Sequence, residues 1–97
     1  MQGHQLYTIE EFEIVGPYLL RIVFDDQSVQ VIDFEPILRG ELFSPLRDLK
    51  FFEQVRLDPE VRTLVWPNDA DFDPETLRNW PLYKDEFIKM VQNWEQV

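Results

Sequence analysis

Trp66-Pro67-Asn68-Asp69-Ala70-Asp71-Phe72-Asp73-Pro74-Glu75-Thr76-Leu77 is the stretch from which the fold of this 97-residue chain is read. Its second half carries several agreeing marks of a helix start. Asp73 stands at the N-cap, where its carboxylate can accept from a backbone N–H that has no partner inside the helix. Pro74 stands at the first helical position, where no N–H is needed. Glu75 puts negative charge at the positive end of the helix dipole. Phe72 and Leu77 are spaced to pack as a hydrophobic staple. Before them, Thr63 to Trp66 reads as a strand, and Pro67-Asn68 as the turn that ends it.

Working outward, Trp80-Pro81 should interrupt the first helix. A second helix is predicted from about Pro81 to Trp94. Tyr83, Phe87, Met90, Val91 and Trp94 form its apolar stripe. That stripe either covers the sheet or forms an exposed surface for a partner or a second copy of the chain.

Towards the N-terminus, Leu6–Val15, Tyr18–Phe24 and Val29–Phe34 alternate as strands. Gly16-Pro17 and Asp25-Asp26-Gln27-Ser28 mark the turns between them. A phase slip at Glu10-Glu11 predicts a bulge. Glu35 to Gly40 reads as one helical turn, with Gly40 in a left-handed closing position. Asp48 is placed to cap a short helix through Phe52, and Val55–Asp58 pairs with Thr63–Trp66 as a hairpin. The fold class is therefore α+β: a three-stranded antiparallel meander, a second hairpin, short helices and a C-terminal amphipathic helix. The length suits one domain over residues 1–97, with a core of about 6–78 and a helical extension over 79–97.

Composition narrows the function classes. The hydrophobic fraction is 44% and eight of the fourteen aromatic residues are Phe, too much bulky apolar material for a disordered chain. The absence of cysteine removes disulfides and thiolate catalysis, and fits a reducing cytoplasm. Neither a signal peptide nor a membrane span is expected. The net charge is −10. Residues 1–38 and 63–76 hold the acidic excess, and 39–62 is neutral. Such a chain is repelled by phosphate backbones. A DNA-binding regulator would have to rely on Arg39, Arg47, Lys50, Arg56 and Arg62.

The middle of the chain resembles a bacterial family known as domain of unknown function 2442. The matching residues are Asp33 to Gly40, Phe43-Ser44-Pro45-Leu46, Phe52, Val55 to Asp58 and above all Thr63 to Leu77. The likeness covers roughly residues 6–78. It implies a small α+β fold and no established activity. Members look like companions of small toxin-type proteins, and some carry an added helix-turn-helix domain. The family usually has Gly after Trp-Pro-Asn, where this chain has Asp69. A Gly there implies positive φ, which Asp tolerates better than most residues.

The chemistry on offer is thin. His4 is the lone histidine and Ser28 and Ser44 the only serines. The three glycines are too scattered for a phosphate loop, so no cofactor is expected. Asp69, Asp71 and Asp73 open like a calcium loop, but Pro74 stands where Gly is required and Trp80 where a bidentate Glu is required. A metal-dependent hydrolase built on those three carboxylates is the enzymatic alternative. The leading expectation is a non-enzymatic interaction module for a small basic protein, reminiscent of the neutralising half of a toxin-type pair. Its candidate surface comprises Trp66, Asn68, Asp69, Asp71, Tyr83, Phe87, Met90 and Trp94.

Overall fold

Alternation in the N-terminal third produces the predicted meander. A computed structural model describes residues 7–95, with side chains through residue 93. Strands β1 (Ile9–Gly16), β2 (Leu19–Phe24) and β3 (Val29–Asp33) pair antiparallel in the order β1-β2-β3. Ile14, Leu20 and Ile32 lie in register, as do Phe12, Ile22 and Gln30. These positions face the core, and Leu20, Ile22, Phe24 and Ile32 are buried. The opposite face carries Glu11, Glu13, Arg21, Val29 and Val31. The register shifts between Ile9 and Glu11, where the bulge is predicted, and again between Ile14 and Gly16. The strand begins at Ile9; Leu6, like His4, lies outside the described residues.

The β2–β3 turn is built on Asp26. Its carboxylate accepts from the Ser28 hydroxyl at 2.5 Å and the Ser28 amide at 3.0 Å. The Arg78 guanidinium, far along the chain, donates to it at 3.0 Å. The two Ser28 bonds, with Arg78 adding to them, hold the carboxyl down from its ordinary 3.8 to about 2. Asp58, which accepts from the Val61 and Glu60 amides, is lowered in the same direction. Depressed carboxyls stabilise the fold above their unfolded value and lose that contribution as they protonate. Stability should therefore fall as pH drops from about 4 to about 2. Asp26→Asn should flatten that part of a urea-midpoint-against-pH curve. A variant curve parallel to wild type over this window would refute the assignment.

Residues 35–52 form short turns, because Pro36, Gly40 and Pro45 forbid one long helix. A 3-10 turn (Glu35–Ile37) leads to α1 (Gly40–Phe43), a second 3-10 turn (Ser44–Arg47) and α2 (Leu49–Phe52). Asp48 caps α2 through the Lys50 amide at 3.1 Å. Gly40 has the expected left-handed backbone, at φ 82°. Its place is corrected, however: it opens α1, because the preceding turn already ends at Leu38. Ile37, Leu38, Phe43, Leu46 and Phe52 turn inward from this segment. A hairpin of β4 (Arg56–Leu57) and β5 (Leu64–Val65) follows, shorter than its apolar pattern predicts.

Helix α3 (Pro74–Arg78) ends at Asn79, and α4 (Trp80–Glu95) begins at the predicted break. Asp73 caps α3, accepting from the Thr76 amide at 3.3 Å. Helix α4 packs on α1, on α3 and on the Glu35–Ile37 turn. Of its stripe, Val91 is buried in the core that the sheet residues share and Phe87 packs against that core, while Met90 is exposed and Tyr83 half-buried. The inner sheet face shares one core with Phe34, Leu46, Phe52 and Trp66. Helix α3 packs on β3 and strand β4 on β1. Among the described residues no helix is long and apolar enough to cross a membrane.

Candidate functional site

The Trp66–Asp73 stretch is a tight reversal. The Asp69 amide donates to the Trp66 carbonyl at 2.9 Å, and the Trp66 amide to the Ala70 carbonyl at 3.0 Å. Asp71 then bridges back to Val65. Pro67 suits the second position of such a turn. Asp69 sits at φ 67°, the left-handed conformation expected of it. Thr63, buried beneath, donates its hydroxyl to the Phe72 carbonyl at 2.6 Å.

This geometry removes Trp66 from the candidate surface and gives Asn68 a duty in the turn. Trp66 is fully buried, and its indole N–H donates to the Phe52 carbonyl at 2.9 Å. It anchors the core, because an indole ring gains more from burial than from solvent once its N–H is bonded. Asn68 serves the turn: it donates to the Leu42 carbonyl at 3.0 Å and accepts from the Ala70 amide at 3.2 Å. Asp69 and Asp71 are exposed. The Asp73 carboxylate faces its own helix, accepting from the Thr76 amide and hydroxyl. The three carboxylates do not gather: among the described residues, no group of three or more histidine or acidic side chains is placed to hold a metal ion. Of the five cations in the neutral segment, Arg56 and Arg62 stand 3.9 Å from Asp58 and Glu10.

The structure brings together a different part of the predicted set. Thr76, Tyr83, Glu86, Phe87 and Met90 line a groove of about 350 Å³ between α3 and α4. That volume lies at the small end of ligand sites, about 300–1,000 Å³. Helical spacing explains the lining: Tyr83, Glu86, Phe87 and Met90 share one face of α4. Phe87 forms the inner wall, with its ring 5.9 Å from Phe72 and 6.2 Å from Phe43. Met90 is 42% exposed, so the outer wall is apolar and open. Val91, on the adjoining face, is buried. Trp94, the last residue of the predicted stripe, lies beyond the described side chains.

The groove is electronegative. The Tyr83 hydroxyl donates to Glu75 Oε2 at 3.3 Å. The negative charge of Glu75 is the chief cause that raises the Tyr83 phenol above its ordinary value. Partial burial, the hydrogen bond, Asp73 and Glu86 act in the same direction. Lys84 and Lys89, on the same helix, are not among the lining residues. Such a site suits the stem and head of a basic side chain: apolar wall along the stem, carboxylates at the tip. Glu75, Thr76 and Glu86 were missed in the sequence. Glu86 was within reach of it, three residues after Tyr83. Glu75 and Thr76 depend on how α3 meets α4.

The fold and this groove define a small α+β domain with an acid-rimmed apolar cleft between its last two helices. The profile of the family described as "Protein of unknown function (DUF2442)" matches residues 9–81. The chain belongs to that family. No curated protein and no solved structure matches it. The family match ends at the first turn of α4, so the groove's whole α4 wall lies beyond it.

Proposed function

We propose that the chain is a protein-interaction module and that the α3–α4 groove receives a basic, partly apolar segment of a small protein partner. One observation carries this reading: Tyr83, Phe87 and Met90 form an apolar wall directly beside Glu75 and Glu86. The net charge of −10 supports it, since charge of one sign steers an oppositely charged partner and discourages others. A lysine or arginine stem lies along Met90 and Phe87, and its head reaches the carboxylates. Tyr83 offers its ring face to the same cation. Met90 adapts to the shape of the entering side chain. The finer form of the proposal is that the partner is a small basic toxin-type protein which this chain neutralises.

The test is calorimetry against any small basic protein encoded beside this chain. Binding should weaken as salt rises. Glu86→Lys and Met90→Lys should each weaken it about thirtyfold, the effect of losing a 2 kcal/mol contact. Absence of heat with the wild-type chain, or an affinity unmoved by both substitutions, would sink the proposal.

A further inference from the structure

The outer edge of β3 is a second surface, remote in kind from the groove. The Phe24 amide donates to Ser28 O at 2.9 Å, and the Phe34 amide to Tyr18 O at 2.8 Å. With Ile22 opposite Gln30 and Leu20 opposite Ile32, the even-numbered positions of β3 carry the bonds to β2. Antiparallel alternation then directs the N–H and C=O groups of Val29, Val31 and Asp33 away from β2. Among the described residues, no strand lies beyond β3 in the sheet. Among the described residues, no loop or turn backbone bonds those groups.

Natural edges are blunted by bulges, proline, lysine or a covering element. The other edge, β1, is treated that way. It has two register shifts, is followed by Pro17, and its Ile9 amide donates to Arg62 O at 2.9 Å. Strand β3 has no bulge, proline or lysine; helix α3 packs against it, and there Gln30, on the inner face, donates its side-chain amide to the Arg78 carbonyl at 2.9 Å. The strand's sequence is Val29-Gln30-Val31-Ile32-Asp33, and Val29 and Val31 are 43% and 56% exposed on the outer face. An unguarded edge with exposed valines is a template for strand addition.

Charge selects the occupant. Asp25 and Asp26 precede β3, and Asp33 and Glu35 stand at its far end. Glu11 and Glu13 lie on the same sheet face, and Arg21, the base there, sits opposite Glu13. A second copy pairing antiparallel through Val31 would bring the 25–26 end of each chain against the 33–35 end of the other. Asp25 would meet Asp33 and Glu35 at both ends, with Asp26 already paired to Arg78, over an edge of only five residues. Such an edge offers little beside the roughly 1,000 Å² expected of a specific interface.

We infer that β3 receives an extended, lysine- or arginine-bearing segment of another protein as a fourth strand. Its alternate apolar side chains lie over Val29 and Val31, and its basic ends reach Asp25, Asp33 and Glu35. This deepens the interaction-module reading by assigning a second contact, and it stands or falls apart from the groove.

The probe is a short synthetic peptide alternating lysine with valine, titrated into the full chain at low salt with amide NMR as the readout. Shifts and about tenfold slower hydrogen exchange are expected at Val29, Val31 and Asp33, with Tyr83 to Met90 unmoved. Val31→Pro removes the edge N–H without touching a ladder bond, and should abolish binding. Val31→Lys, which keeps the backbone, should weaken it about tenfold by placing like charge opposite the peptide. The inference is overturned if shifts appear only in the groove, or nowhere. It also falls if an N-methylated peptide, or one with glutamate for lysine, binds as well. A free protein that sediments as a dimer with its β3 amides already protected would assign the edge to a second copy instead.

Discussion

Trp66→Ala is expected to remove about 4–6 kcal/mol of stability, a large share of what a domain of this size holds. Trp66 is the largest fully buried side chain. Its ring lies 5.6 Å from Phe52, 5.7 Å from Phe72 and 6.1 Å from Phe34, between centroids. Truncating such a ring costs about 3–5 kcal/mol. The Phe52 carbonyl also loses the indole N–H, keeping only the Val55 amide at 3.2 Å, and one lost hydrogen bond costs about 0.5–1.5 kcal/mol. Small domains hold only about 5–15 kcal/mol in total. Urea denaturation followed by circular dichroism measures the loss. Trp66→Phe separates the two parts, because it keeps most of the ring burial and removes the donor. It should lose about 1–2 kcal/mol, from that one hydrogen bond and the smaller ring. A Trp66→Ala protein with a wild-type midpoint would mean that the aromatic cluster is not the centre of stability.

The second large effect is expected at Phe72. Its ring stacks on Phe43 at 4.8 Å and meets Phe34 at 5.2 Å, Trp66 at 5.7 Å and Phe87 at 5.9 Å. Phe72→Ala should cost about 3–5 kcal/mol. Unlike the loss of Trp66, it should also reach the groove, because Phe87 is both a neighbour of Phe72 and a wall of the cleft. Side-chain resonances of Tyr83 and Met90 should shift or broaden in the folded fraction. Groove resonances identical to wild type would show that α4 is held independently of Phe72. The double variant with Trp66→Ala should lose less than the two single losses together, since rings in contact share partners. Strict additivity would argue against one cooperative cluster.

Both substitutions fall inside the stretch that best reveals the fold. The Asp73-Pro74 start is explained by chemistry that acts over three or four residues, and it stands where its residues place it. Asp69 follows the same logic: a reversal after Pro67-Asn68 needs one left-handed residue, and the chain adopts φ 67° there. The bulge after Ile9 follows from a break in alternation. Trp66 was ambiguous, since a large aromatic at a strand end serves a core and a binding surface equally well. Its burial depends on Phe34 and Phe52, which arrive from distant parts of the chain.

The groove was half legible. Tyr83, Phe87 and Met90 follow from helical periodicity alone. Periodicity does not say which element a stripe will meet, and here α4 meets α1, α3 and the Glu35–Ile37 turn. The acid rim depends on Glu75 of α3 approaching Tyr83 of α4 across the helix break at Asn79.

Local rules of spacing, capping and turn chemistry thus determined the elements of this protein, their order and the residues at their ends. They act within a few residues, so the sequence carries them openly. Tertiary packing alone decided that Trp66 belongs to the core, that α4 leans on short helices and leaves a cleft, and that β3 is an unguarded edge. Each of these is a choice among partners distant in the chain, settled by which apolar surfaces cover one another first.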